Sequence, residues 1–109
     1  MDKTEEKTDW GIVYRYIAKN YRYALYMYDD DPKTIYLSNV RVEPDARQQG
    51  LGRSILFMAE REAKKRKADT ICLKVLKEGW VRDWYARHGY SEFSEDEDPK
   101  FIWMKHEIK

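Results

Sequence analysis

A chain of 109 residues, 42% of them hydrophobic and 15% aromatic, suits one domain with a modest core and has more apolar content than a disordered chain carries. Its 21 basic and 20 acidic side chains leave a formal net charge of +1, so no global field recruits nucleic acid or an anionic membrane. A lone cysteine, Cys72, excludes an internal disulfide, and the sequence has neither a signal-peptide core nor an apolar run of membrane-spanning length; the expectation is a cytoplasmic protein with no nucleic-acid and no membrane partner.

Residues 1–9 are mostly polar and are expected to form a flexible N-terminus, with 10–109 as a single domain. Aromatic and β-branched residues dominate 10–19 (WGIVYRYIAK) and 21–28 (YRYALYMY), with Asn20 between them, which predicts a β-hairpin. Residues 29–33 (DDDPK) read as a second turn, and 34–42 (TIYLSNVRV) as a third, antiparallel strand. Then comes a Pro-Asp break and Arg47-Gln48-Gln49-Gly50-Leu51-Gly52. After it Leu51, Ile55, Met58, Ala59 and Ala63 recur at helical spacing.

The run 70–76 (TICLKVL) reads as a strand. A connection long enough to hold the helix separates it from the preceding strand, so those two strands can lie parallel. Trp80, Val81, Trp84, Tyr85 and His88 repeat at three and four residues, and Gly89 stands where a helix commonly ends. Strands at 90–93 and 101–108 flank an acidic loop. The fold expected is α+β, a mixed and mostly antiparallel sheet with a central β-α-β crossover and a second helix.

A strand that feeds a glycine-containing loop and then a helix presents unpaired N–H groups and the positive helix end together, as an anion requires. Gly50 and Gly52 permit close backbone approach, while Arg47 and Arg53 add charge. The third glycine of a dinucleotide fingerprint is missing, and Arg53 stands where a Walker loop needs Lys. A plain solvated turn remains open on these residues alone.

The stretch Arg47-Gln48-Gln49-Gly50-Leu51-Gly52 resembles motif A of the GNAT superfamily of acetyl-CoA-dependent N-acetyltransferases, Arg/Gln-x-x-Gly-x-Gly/Ala. Tyr85-Ala86-Arg87-His88-Gly89-Tyr90 resembles the family's later Tyr-x-x-x-Gly-Phe/Tyr phrase, at the expected distance downstream. The resemblance covers 21–109. Family members usually carry a strand and two helices before the antiparallel hairpin, and nine polar residues are not expected to supply them.

The resemblance implies acetyl-CoA as cosubstrate, no metal, and an amine acceptor, small molecule or protein. It implies that the backbone of Val40 and Val42 binds the pantetheine arm and that the amides of Gln48, Gln49, Gly50, Leu51, Gly52 and Arg53, beside Arg47, hold the pyrophosphate. Tyr85 is the implied acid for the leaving thiolate, a role an ordinary phenol pKa near 10 suits.

No obvious general base is present. Tyr36, Ser38 and Asn39 occupy the likely places, Lys74 stands where some members have Glu, and Tyr36 is the candidate proton route. A non-catalytic CoA-binding module is the alternative function, and an interaction protein using its Tyr-rich hairpin a weaker third. The aromatic hairpin is expected to meet a second copy in a homodimer, the other possibility being an open-cleft monomer.

Overall fold

The computed structural model describes residues 1–47 and 49–108. Four antiparallel strands build its first half: β1 (Asp2–Lys7), β2 (Gly11–Ile17), β3 (Tyr21–Tyr28) and β4 (Asp31–Val42). A single 3-10 turn, Pro44–Ala46, then leads to helix α1 (Leu51–Lys65) and strand β5 (Thr70–Leu76), which returns parallel to β4. Helix α2 (Val81–Arg87) precedes the hairpin β6 (Ser91–Glu95) and β7 (Phe101–Glu107). The seven strands lie in the order β1-β2-β3-β4-β5-β7-β6, an α+β fold in which only β4 and β5 run parallel.

The N-terminus differs from expectation. Residues 2–7 form a strand paired along its whole length with β2, from Asp2↔Ile17 to Lys7↔Ile12. Backbone pairing needs no apolar side chain, and all six residues are exposed. The turn is set by Thr8, whose hydroxyl accepts from the Trp10 and Gly11 amides, and Arg15 donates to Glu6 at 2.8 Å across the pair. The second turn is also tighter than expected: Asp29 and Asp30 alone connect β3 to β4, with Tyr28 opposite Asp31. Pro32 is tolerated inside β4 because β5 first pairs at Thr34, so no ladder bond is asked of its missing N–H on that side.

Alternation along the strands sorts the side chains between two faces. On one face Tyr14, Tyr16, Tyr23, Leu25, Ile35, Leu37, Ile71, Leu73, Val75, Ile102 and Met104 join Ile55, Leu56, Ala59 and Ala63 of α1 and Tyr85 of α2 in one buried cluster. Both helices pack there. The opposite face carries a chain of aromatic contacts, Trp10–Tyr26, Trp10–Tyr28, Tyr28–Tyr36 and Tyr36–Trp103, with ring centroids 4.9–6.0 Å apart. Trp10 on that face is 40% exposed. No described helix is long and apolar enough to cross a membrane.

Candidate functional site

β4 and β5 pair at Thr34↔Thr70, Ile35↔Ile71 and Tyr36↔Cys72 and then part. Each keeps its outer neighbour, β4 as far as Val42↔Tyr21 and β5 as far as Leu76↔Phe101. A gap therefore opens in the middle of the sheet, with backbone groups free of ladder partners along its lips. A bulge bends β4 away at this point. Between the pairs Ala24↔Ser38 and Arg22↔Arg41, β4 spends Asn39 and Val40 against one residue of β3, and Asn39 takes the left-handed φ of 55°.

A groove of about 1190 Å³ runs along the β4 lip of this gap. Its walls include Asn39, Val40 and Val42 of β4, Gly50, Leu51, Gly52 and Arg53 at the start of α1, and Trp80, Val81, Trp84 and Tyr85 of the α2 region. Arg15, Arg22, Arg41, Arg47 and Arg53 also line it, and among the described lining residues none is a carboxylate. Arg15 and Arg41 are partly neutralised by Glu6 and Glu43, at 2.8 and 3.3 Å. The Arg47 Nε donates to the Val42 carbonyl at 3.3 Å, which ties the loop to the β4 lip.

The first turn of α1 borders the same space. Its cap, Gly50, sits at φ 76° with no side-chain capping bond, and no acidic residue occupies the first turn to offset the positive end. The first intrahelical bond runs from the Ser54 amide to the Gly50 carbonyl, so the amides of 51–53 lie ahead of the ladder.

The two loop glycines do different things. A Cβ on Gly50 would meet nothing within 4 Å, so that glycine serves the left-handed turn. A Cβ on Gly52 would lie 3.3 Å from the Trp84 ring, so that glycine lets α2 close against α1. A second recess of about 670 Å³, lined by Arg53, Ser54, Phe57, His88 and Tyr90 among others, adjoins the groove at Gly50.

Tyr85 stands in the wall of the gap, 8% exposed, with its ring edge-on to Trp84 at 5.1 Å and to Tyr90 at 5.4 Å. Burial alone pushes its phenol up to about 12. Tyr36 lies elsewhere. It alternates with the core residues Ile35 and Leu37 and so projects from the opposite face, outside the groove lining. Its hydroxyl donates to Asp31 Oδ2 at 3.0 Å, and burial followed by that bond raises its phenol to about 12.

Val40, Val42, Arg47, Gly50, Leu51, Gly52 and Arg53 are thus brought together with Tyr85, whereas Tyr36 is not. Gln49 is exposed and outside the lining, and Gln48 lies outside the described residues. Arg15, Arg22, Arg41, Trp80 and Trp84 join the groove without having been singled out as site residues. The arginines have an alternation signal, since Arg15 and Arg22 interrupt apolar strands at positions facing away from the core. Which part of the sheet they reach depends on the bulge.

Residues 9–92 match the family described as Acetyltransferase (GNAT) domain. A search of curated proteins finds no significant match. The PaiA N-acetyltransferase of Thermoplasma acidophilum, solved in complex with coenzyme A, superposes with a TM-score of 0.73 at 17% identity, covering 88% of this chain and 60% of that one. A GNAT family acetyltransferase of Elizabethkingia anophelis with acetyl-CoA bound gives 0.69 at 16% identity over 89% and 76%. The ribosomal-protein-S18-alanine N-acetyltransferase of Escherichia coli gives 0.69 at 22% over 94% and 72%. At these identities the superpositions speak for the fold, and the family match carries the assignment: the chain belongs to the GNAT acetyltransferases, acyl-CoA-dependent N-acyltransferases.

Proposed function

We propose that this protein transfers an acetyl group from acetyl-CoA to a primary amine by direct attack. The observation that supports this reading most is the convergence, at one gap in the sheet, of an uncompensated helix N-terminus, five arginines with no carboxylate among the described lining residues, and a buried tyrosine. The amides around Gly50 to Arg53, with Arg47, hold the pyrophosphate. The pantetheine arm pairs with the backbone of Val40 and Val42 along the β4 lip as an added strand.

The amine nitrogen, once deprotonated, attacks the thioester carbonyl. A C–N bond forms and the C–S bond breaks. The Tyr85 hydroxyl gives its proton to the departing thiolate and recovers one from solvent, while the proton lost by the amine leaves to water. Tyr36 has no part in this route, because its hydroxyl is committed to Asp31 on the other face. A homodimer joined through the N-terminal strands is likewise not part of this reading: β1 offers a fully exposed edge of Asp, Lys, Thr and Glu, the chemistry that discourages strand addition.

The absence of a carboxylate base among the described lining residues favours the second reading, a CoA-binding module without turnover. One experiment separates the two. Calorimetry with CoA, paired with a thiol-release assay using acetyl-CoA and a panel of primary amines, is expected to give binding and amine-dependent CoA release. Binding without release for any amine would leave only the module, and no binding would overturn both.

A further inference from the structure

On the sheet face away from the helices, at the β5 lip of the gap, a side-chain ammonium already sits in a cage. Lys74 lies two residues beyond Cys72, the last position of β5 paired with β4, and it shares a face with Cys72. Its Nζ is 4.8 Å from the centre of the Phe101 ring, 5.9 Å from that of Trp103, and 3.6 Å from Asp96 Oδ2. Asp96 is held for this task. Its Oδ1 accepts from the Trp103 indole at 3.0 Å and its Oδ2 from the Asp98 amide at 3.2 Å, so the loop after β6 folds back over the sheet.

Burial raises the Asp96 carboxyl, but the Asp98 amide, the Trp103 indole and Lys74 outweigh this and keep it below the ordinary carboxylate range. Two aromatic faces and a fixed anion make a receptor for an alkylammonium group. The resident cation is loosely kept: the Lys74 side chain is 41% exposed, on a flexible four-carbon stem.

We propose that Phe101, Trp103 and Asp96 form the subsite for the non-reacting ammonium of a dicationic alkylamine acceptor, and that Lys74 fills it until the acceptor arrives. This rests on the acetyl-transfer reading above. A cage that stabilises the protonated form cannot hold the attacking nitrogen, which must be neutral. It can hold a second charge further along the same chain and so leave the other nitrogen free to reach past the β5 lip toward the groove, whose lining includes Tyr85. Asp31, anchored to Tyr36 at 3.0 Å, adds a further carboxylate on the same aromatic face.

The test is calorimetry on the CoA-saturated protein with two probes, 1,5-diaminopentane and n-pentylamine. The diamine is expected to bind roughly tenfold more tightly, the factor that a contact of about 1.4 kcal/mol supplies. Lys74→Met, which removes the resident charge, should tighten diamine binding several-fold, and Asp96→Asn should erase the preference for the diamine. Equal affinity for both probes in the wild-type protein and in Lys74→Met overturns the proposal.

A readout without any variant guards against misfolding: the Lys74 ε-carbon resonance should move when the diamine is added, and an unmoved resonance overturns the proposal too. If CoA does not bind, the acetyl-transfer reading fails and the same amine titrations on the free protein still decide the cage. If CoA binds and no diamine preference appears, only the cage fails.

Discussion

At the scale of the residue, burial governs the chemistry of Tyr85. A group that must be protonated to act loses function as pH rises through its pKa, and burial has moved that point from the ordinary 10 up to about 12. The Tyr85 proton therefore stays in place across the range where amines become neutral, and no alkaline limb from this residue should interrupt the kcat profile below about pH 11. Tyr85→Phe should lower kcat by roughly 10²-fold while leaving CoA affinity nearly unchanged. Wild-type turnover in the variant would reduce Tyr85 to a packed ring between Trp84 and Tyr90. Its position was legible in the sequence because Val81, Trp84, Tyr85 and His88 share helical spacing and Gly89 marks the end. The placement of Tyr36 on the face away from the groove was not legible, because a strand residue's face depends on the register of neighbours that sequence does not fix. The cage around Lys74 was hidden for a related reason. Lys74, Asp96, Phe101 and Trp103 come together only through the β5–β7 pairing and the return of the loop after β6, and in sequence Asp96 is one acid in an acidic run.

At the scale of the element, β1 shows that pairing can order a segment that composition leaves open. Its six residues bury no side chain, but they cover the outer backbone edge of β2, which carries Val13, Tyr14 and Tyr16. Lys3 also lies over the rings of Tyr14 and Tyr16, at 5.2 and 5.7 Å. Removing residues 1–7 should therefore cost little core and still change behaviour, because it bares an edge rich in aromatic and β-branched residues. The truncated chain is expected to keep its circular dichroism spectrum and to self-associate at micromolar concentration by light scattering, whereas the whole chain keeps its edge blocked. A truncated chain that stays monomeric would show that β1 guards nothing. Elements with strong periodicity were legible from sequence: the aromatic hairpin, the helix after the glycines, the run 70–76 that returns parallel to β4. Two features set by local geometry were not. The two-residue turn at Asp29-Asp30 lay within a longer acidic stretch, and the bulge at Asn39 that opens the gap has as its sequence signal one Asn, a residue tolerant of φ above zero.

At the scale of the whole molecule, the helix-covered core and the aromatic face share one dependence, since both keep phenols out of water. Tyr16, Tyr23, Tyr36, Tyr85 and Tyr90 all have their ionisation raised, with burial the leading cause in each; Tyr36 and Tyr85 reach about 12, and Tyr23 and Tyr90 lie higher still. In the unfolded chain a tyrosine ionises near 10. The folded state thus binds more protons than the unfolded one above that pH, and linkage fixes the sign: the contribution is fully present below about pH 10 and is lost as pH climbs through the folded values. At the acid end the lowered groups are Glu92 and Asp96, paired with Arg82 and Lys74 near the surface, where screening leaves little to lose. Stability should therefore fall on the alkaline side first, and the fall should be visible in the tyrosines themselves. Of the nine tyrosines, these five are expected to ionise only as the fold opens. In an alkaline titration followed at the phenolate absorbance, the rise that belongs to these five should coincide with loss of the far-ultraviolet dichroism. A single step near pH 10 with the dichroism intact would mean that these five hydroxyls reach solvent in the folded protein, and would remove the physical basis for a Tyr85 that holds its proton.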